Sequence, residues 1–133
     1  MSFLLDTDTC SQHLKRPSGL IHRFIQHAGR LFIPTIVLGE LYACAYQRSD
    51  PSPLLRSIQD DLLRDVAVIP FDEPSAREFG RIRGALLRRG IAKGRMDLLI
   101  ASVALAHDLT VVTHNTNDYV HVPGLRLADW LAP

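Results

Sequence analysis

The sequence is poor in cysteine. Only Cys10 and Cys44 occur among 133 residues, and their spacing matches no metal-ligand motif. A chain with so few cysteines is not a disulfide-rich secreted domain. A Cys10–Cys44 pair stays an alternative, but two free thiols in a cytoplasmic protein are the simpler interpretation.

Long apolar runs and a strong charge bias are also lacking. The longest apolar stretch, residues 98–106, contains Ser102 and is far too short to span a bilayer. The first residues include an acid at position 6 and no basic segment, which argues against a signal peptide. The net charge is only +1, so any nucleic-acid binding must come from a local patch.

Several familiar motifs are missing. The sequence contains no Walker loop, no G-x-G-x-x-G, no His-rich metal spacing and no serine nucleophile elbow. It has no low-complexity tract and no solenoid-like repeat. The apolar share of 47% and the charged share of 22% are typical of a globular protein. The length predicts a single domain, residues 1–133, with a real hydrophobic core.

Strand-like and helix-like segments alternate along the chain. The apolar patterns predict strands at residues 3–5, 31–33, 66–71, 110–113 and, as an edge strand, 125–127. They predict a first helix that is capped by Thr7 or Asp8 and runs to residue 14, and further helices at residues 20–29, 35–48, 54–64, 75–89 and 97–107. This alternation predicts an α/β layer fold with a central, mostly parallel sheet.

Four acidic residues lie beside or inside apolar runs. Asp6 ends the first predicted strand, and Asp118 follows a late one by a short polar loop. Glu40 and Asp97 lie in the first turns of two apolar helices. Functional clefts of such folds lie beyond the carboxyl ends of the strands, so we expect the four side chains to meet there.

Carboxylates gathered in one cleft need a cation or raised pKa values. Two like charges about 4 Å apart repel by about 4 kcal/mol at an effective dielectric constant near 20. A ligand set made only of oxygen favours Mg²⁺ or Mn²⁺ over Zn²⁺. Mg²⁺ in such a site can activate water and neutralise charge at a phosphodiester.

Each acid also has a simpler interpretation. Asp97 would complement a helix dipole, Asp6 would cap the first helix, and Asp118 would form an Asx-turn. Glu40 is harder to explain in this way, because its helix is apolar on most faces. The separate interpretations do not explain why all four acids fall where one cleft should be.

Each of the four acids lies in a short segment that forms a motif. The segments are residues 3–8 (Phe-Leu-Leu-Asp-Thr-Asp), 35–41 (Thr-Ile-Val-Leu-Gly-Glu-Leu), 94–101 (Gly-Arg-Met-Asp-Leu-Leu-Ile-Ala) and 111–119 (Val-Val-Thr-His-Asn-Thr-Asn-Asp-Tyr). Each is weak alone, but in this order and spacing they resemble the PIN-domain ribonucleases of the VapC toxin type. The resemblance covers essentially the full length and implies a PIN-like three-layer α/β/α fold.

The resemblance also implies roles for particular residues. Asp6 and Asp97 would be the main metal ligands, Asp118 would complete the site, and Glu40 would bind the metal or position the attacking water. Thr113 and Asn115 would orient the acidic side chains or the phosphate. Two positions depart from the pattern: many relatives have proline where this chain has Arg95, and a small residue where it has Leu38. These departures leave the implied metal site intact. Arg95 would alter how RNA approaches Asp97.

A basic segment lies between residues 77 and 95. Its only acid is Glu78. It contains seven basic residues: Arg77, Arg81, Arg83, Arg88, Arg89, Lys93 and Arg95. Phosphate contacts dominate RNA affinity, so we expect RNA contacts from Arg81, Arg88, Arg89, Lys93 and Arg95. A solvated helix face and a surface for an acidic segment of a partner protein are the alternatives.

The resemblance implies a Mg²⁺-dependent endoribonuclease, with Mn²⁺ as a substitute, that is the toxin of a type II toxin–antitoxin pair. Its partners would be RNA, a cognate antitoxin and a second copy of the chain, paired through helices at residues 20–29 and 36–46. One alternative is a haloacid-dehalogenase-like phosphatase with Asp6 as the nucleophile. Another is a non-catalytic nucleic-acid or protein binding module that kept the fold.

Overall fold

A five-stranded parallel sheet forms the centre of the computed structural model, which describes residues 1–92 and 95–132. The strand order is β3-β2-β1-β4-β5, and every neighbouring pair is parallel. The strands are β1 (Phe3–Leu5), β2 (Leu31–Pro34), β3 (Ala67–Ile69), β4 (Thr110–Val112) and β5 (Leu127–Ala128). The predicted α/β/α fold with a parallel sheet is confirmed.

Six α-helices in the described ranges, residues 1–92 and 95–132, flank the sheet. They are α1 (Thr7–Leu14), α2 (Ser18–Gln26), α3 (Thr35–Tyr46), α4 (Ser52–Ser57), α5 (Glu73–Arg88) and α6 (Arg95–Ala106). A π-helical turn (Ile58–Leu62) continues α4, and a 3₁₀ turn (Thr116–Tyr119) follows β4. Within the described residues, no helix is long and apolar enough to cross a membrane.

The central strand β1 and its neighbour β4 are buried on both faces. Leu4 and Leu5 of β1 and Val111 and Val112 of β4 have no solvent-exposed surface. A strand covered by helices on both sides must be apolar at every position, which explains the continuous apolar runs. The carboxyl ends of β1 and β4 are neighbours, so the residues that follow them meet at one edge of the sheet.

Several predicted boundaries were wrong by a few residues. The first helix is capped by Asp6, not by Thr7 or Asp8, because the Asp6 carboxylate accepts the Thr9 N–H. Helix α5 begins at Glu73 because Asp72 caps it in the same way.

The last predicted helix and strand were also misplaced. Helix α6 begins at Arg95, two residues before Asp97, so Asp97 lies inside the first turn. The edge strand is Leu127–Ala128 rather than residues 125–127. Its position follows from pairing with Val111 and Val112 of β4, a tertiary contact that local sequence does not specify.

Candidate active site

A cleft at the carboxyl end of β1 brings three of the four predicted acids together. It has a volume of about 230 Å³ and is lined by residues from α1, α3, α6 and the loop after β4: Asp6, Thr7, Asp8, Glu40, Met96, Asp97, Ile100 and Asn115. Asp6, Glu40 and Asp97 therefore meet in one cleft at this edge of the sheet, as the sequence predicts. Asp118 is not part of the cleft wall.

A larger cavity lies elsewhere and lacks this chemistry. It measures about 700 Å³ and is lined in part by Ser2, Asp108 and Arg126, which precede β1, β4 and β5. Asp108 is paired with Arg126 at 2.8 Å. Convergent, mutually repelling carboxylates mark a functional site better than volume does, so the smaller cleft is the candidate active site.

Asp6 has two roles in the structure. It is only 6% exposed, and its Oδ1 accepts a hydrogen bond of 2.9 Å from the backbone N–H of Thr9. The interpretation of Asp6 as a helix cap is therefore correct, and so is its place in the cleft. One carboxylate oxygen is held by the helix, which fixes the orientation of the other.

Glu40 is held by a neighbour that the sequence analysis did not assign to the site. The hydroxyl group of Thr7 donates a hydrogen bond to Glu40 Oε1. This contact ties α1 to α3 across the cleft. Thr7 directly follows Asp6, but its contact partner Glu40 is 33 positions away, so the local sequence does not indicate the contact.

Asp97 carries the clearest electrostatic evidence of the cluster. Burial raises its pKa, and the negative charge of Asp118 raises it further. The charges of Asp6 and Glu40 add to the shift in pKa, while a hydrogen bond from the Tyr119 hydroxyl opposes it. All four predicted acids are thus close enough to interact electrostatically, although Asp118 is exposed and lies in the 3₁₀ turn.

Thr113 and Asn115 stabilise the loop after β4 by hydrogen bonds. Thr113 is buried, and its Oγ1 accepts a hydrogen bond of 3.0 Å from the Asn115 backbone N–H. The side-chain amide of Asn115 donates to Asp8 Oδ2 at 2.8 Å. Asp8 lines the cleft, whereas the sequence analysis included it in the first motif and considered it as a helix cap without giving it a role in the site.

The donor set fits a hard divalent cation. The cleft presents carboxylate, hydroxyl and amide oxygens, which suit Mg²⁺ or Mn²⁺. Among the described residues, no group of three or more His, Cys, Asp or Glu side chains is already arranged to hold a metal ion. Burial and, after it, the negative charge of Asp118 nevertheless raise the pKa of Asp97, and a bound cation would favour the charged carboxylate against both effects.

The basic segment divides into paired and unpaired residues. Arg77 pairs with Glu73 at 3.0 Å, and Arg81 donates two hydrogen bonds to Glu78. The other predicted RNA-contacting residues within the described part of the chain are exposed and form no ion pair there: Arg88, Arg89 and Arg95. The prediction for Lys93 lies outside the described residues.

Comparisons with known proteins agree with this geometry. The model of the PIN domain family matches residues 3–125. The tRNA(fMet)-specific endonuclease VapC of Salmonella typhimurium is 34% identical over 131 residues, which is 98% of each chain. Ribonuclease VapC2 of Haemophilus influenzae is 30% identical over 98% of this chain and 99% of its own.

Solved structures show the same relationship. DNA-bound VapBC from Salmonella typhimurium superposes with a TM-score of 0.90 at 33% identity, over 98% of both chains. VapBC-1 from nontypeable Haemophilus influenzae gives a TM-score of 0.87 at 26% identity, over 99% of this chain and 100% of that one. The protein belongs to the PIN-domain family, within the VapC ribonucleases. The predicted family is thereby confirmed, and the phosphatase alternative falls.

Proposed function

We propose that this protein is a Mg²⁺-dependent endoribonuclease and the toxin of a type II toxin–antitoxin pair. The observation that carries the proposal is the acidic cleft formed by Asp6, Glu40 and Asp97, with the charge of Asp118 acting on Asp97. Membership of the VapC ribonucleases supports RNA as the substrate.

The residues that would hold Mg²⁺ are Asp6, Asp97 and Asp118, with Glu40 either as a further ligand or as the group that positions the attacking water. Asp6 keeps one oxygen free of the helix cap, and Thr7 leaves one oxygen of Glu40 available. When bound, Mg²⁺ lowers the pKa of a water molecule and neutralises charge at the phosphodiester.

The reaction is a hydrolysis. A water molecule loses one proton and its oxygen forms a new bond to phosphorus. The bond from phosphorus to one ribose oxygen breaks, and that oxygen takes up a proton, so one water is consumed for each bond cleaved. Glu40 lies in the wall of the cleft and accepts a hydrogen bond from the Thr7 hydroxyl group. Its carboxylate is therefore oriented before substrate binds. Thr113 and Asn115 keep the loop after β4 against the cleft.

The exposed arginines supply the path for the RNA backbone. Arg95 is two residues from Asp97 at the start of α6, while Arg88 and Arg89 end α5, which packs against α6. Unpaired guanidinium groups are free to contact phosphates, whereas Arg81 must first give up Glu78. We therefore assign Arg88, Arg89 and Arg95 the larger share of RNA affinity.

Partner proteins follow from the relatives. The neighbouring structures are VapBC toxin–antitoxin complexes, which supports a cognate antitoxin for this chain. Homodimer formation through α2 and α3 is supported by Ile25 and Tyr46, which expose 70% and 67% of their surface. Free Cys10 and Cys44 agree with the expected cytoplasmic location.

The test is cleavage of a total RNA pool and of a purified transfer RNA fraction, with Mg²⁺ and with EDTA. Asp6→Asn suits this test because asparagine still caps a helix while the negative charge is lost. Asp97→Asn is the second variant, and Asp60→Asn, an exposed aspartate away from the cleft, is the matched control.

Discrete fragments from wild type and Asp60→Asn that disappear with EDTA, Asp6→Asn and Asp97→Asn would support the proposal. Cleavage that survives both cleft substitutions would contradict the assigned site. No cleavage of any RNA by the folded, Mg²⁺-loaded wild type would favour the binding-module alternative. Asp97→Asn would then leave the binding function intact.

A further inference from the structure

We propose that Asp8 is a positioning residue of this active site, which through Asn115 fixes the loop that presents Asp118. The inference rests on the proposed metal-dependent nuclease and adds a residue to which that function gives no role. Asp8 is exposed, lies in the first turn of α1 and lines the cleft.

The contact joins two distant parts of the chain. Asp8 Oδ2 accepts a hydrogen bond of 2.8 Å from Asn115 Nδ2, and the two residues are 107 positions apart. Asp8 belongs to the helix after β1, whereas Asn115 belongs to the loop after β4. Since a carboxylate only accepts hydrogen bonds, Asp8 also decides which end of the Asn115 amide faces it.

The constraint reaches Asp118 through the backbone. The N–H of Asp118 donates to the carbonyl oxygen of Asn115 at 3.0 Å. Asn115 is itself held at its N–H by Thr113 Oγ1. Fixing the Asn115 side chain therefore restricts the turn that carries Asp118, whose charge acts on Asp97 more strongly than the other charges do.

Two other roles for Asp8 make different predictions. As an acid in the first turn of α1, it would stabilise the helix dipole by its charge. As a fifth acid of the cleft, it would bind the metal by its charge. Asp8→Asn removes the charge but keeps an oxygen that accepts from Asn115, whereas Asp8→Ala removes both. The pair of variants separates the hydrogen bond from the charge.

The first measurement is Mn²⁺ affinity, from the free Mn²⁺ signal in electron paramagnetic resonance. Outer-shell partners of metal ligands change affinity by about 10- to 100-fold, and we expect a loss of about tenfold in Asp8→Ala. Asp8→Asn should bind Mn²⁺ close to the wild-type affinity. Thermal unfolding in EDTA checks the fold of both variants, with Asp60→Ala as the matched control for loss of an exposed aspartate.

The second measurement needs neither metal nor RNA. The side-chain amide of Asn115, assigned by its absence in Asn115→Asp, should keep its hydrogen-bonded ¹⁵N–¹H shift in wild type and Asp8→Asn. It should lose that shift in Asp8→Ala. The double variant Asp8→Asn/Asn115→Asp restores one amide–carboxylate pair at the same total charge, and it should recover most of the Mn²⁺ affinity that Asn115→Asp loses.

Equal loss of Mn²⁺ affinity in Asp8→Asn and Asp8→Ala would overturn the inference in favour of a role for the charge. Unchanged affinity in Asp8→Ala would overturn it as well. A failure of the proposed function looks different, because the wild type would then neither bind Mn²⁺ nor cleave RNA. In that case the amide shift alone decides whether Asp8 holds the loop. If Asp8→Ala does not fold, Asp8→Leu replaces it in every arm, because leucine has nearly the shape of aspartate but no acceptor and no charge.

Discussion

The hydroxyl group of Tyr119 lies 3.5 Å from Oδ1 of Asp97 and donates a hydrogen bond to it. Tyr119 is only 2% exposed. Burial and the charges of Asp97, Asp6 and Asp118 raise the pKa of its phenol, so Tyr119 stays a neutral donor at physiological pH. The neutral phenol thus donates a hydrogen bond to Asp97, the cleft acid with the raised pKa, and adds no further negative charge.

Tyr119→Phe should weaken metal binding without unfolding the protein. Phenylalanine keeps the packing but removes the donor, and a hydrogen bond to a charged group contributes about 1.5–3 kcal/mol at most. Because this contact is long, we expect a loss of Mn²⁺ affinity of about tenfold or less. Calorimetric titration with Mn²⁺ measures it, with exposed Tyr46→Phe as the control. Equal affinities of wild type and Tyr119→Phe would show that the hydroxyl group is a bystander.

Asp97→Asn should stabilise the metal-free protein at neutral pH. The folded state raises the pKa of Asp97 above its unfolded value near 3.8, so charged Asp97 opposes folding. In EDTA, the wild type should therefore gain stability relative to Asp97→Asn as pH falls through the folded pKa of Asp97, because both proteins share every other titrating group. Removing the charge should raise Tm by about 2–5 °C, which corresponds to about 1 kcal/mol.

The measurement is thermal unfolding followed by circular dichroism at several pH values, with Asp60→Asn as the matched control. The gain in Tm should shrink as pH falls, because wild-type Asp97 becomes neutral as well. Saturating Mg²⁺ should reverse the order, since only the wild type gains stability from binding. A less stable Asp97→Asn at neutral pH in EDTA would mean that Asp97 is not under electrostatic strain.

Sequence patterns identified the sheet and the acids, but not the contacts between them. Asp6 and Asp97 were predictable because a carboxylate beside a buried strand or helix needs a reason. Thr7, Asp8 and Tyr119 were not, because each hydrogen-bonds a residue at least 22 positions away in sequence. Local spacing carries no information on such pairs. The same limit explains the misplaced edge strand, which only its pairing with β4 defines.

Charge pairing within α5 was a second feature that the sequence analysis missed, although the i,i+4 and i,i+3 spacings of these pairs are typical of helix neighbours. Arg77 and Arg81 looked like members of one basic surface, yet Glu73 and Glu78 partly neutralise them. The two arginines provide an internal control for the unpaired ones, since they lie on the same helix, α5.

Replacing Arg88 and Arg89 together by alanine should raise KM for RNA more than it lowers kcat. Both residues are exposed at the end of α5 and lie outside the metal cleft. Each lost phosphate contact should reduce the slope of log affinity against log salt by about 0.7 for single-stranded RNA. Arg77→Ala should have little effect. The measurement is affinity for a cleavage-blocked RNA between low and physiological salt, and equal effects of the two variants would remove the basis for preferring unpaired arginines.

Protonation of His13 should destabilise the fold as pH falls. His13 lies in α1, is 1% exposed, and neither ring nitrogen has a hydrogen-bond partner within the described residues. Burial lowers its pKa below the ordinary value near 6.5, and the charge of Arg16 lowers it further. The carboxylates of Asp65, 3.6 Å from Nε2, and of Asp61 oppose the shift in pKa without cancelling it.

The sign of this effect follows from proton binding. Below pH 6.5 the unfolded chain binds a proton at His13 that the folded protein binds only at lower pH, so the free energy of unfolding falls as pH decreases.

His13 stacks on Phe24 with ring centroids 3.5 Å apart, and His13→Phe keeps an aromatic ring there without a titrating group. In urea unfolding at pH 7, 6 and 5, His13→Phe should lose less stability than the wild type, whereas His22→Gln, an exposed histidine, should follow the wild type. Parallel pH dependence in wild type and His13→Phe would mean that another group carries the acid sensitivity, and His27, whose pKa burial also lowers, would be the next to replace.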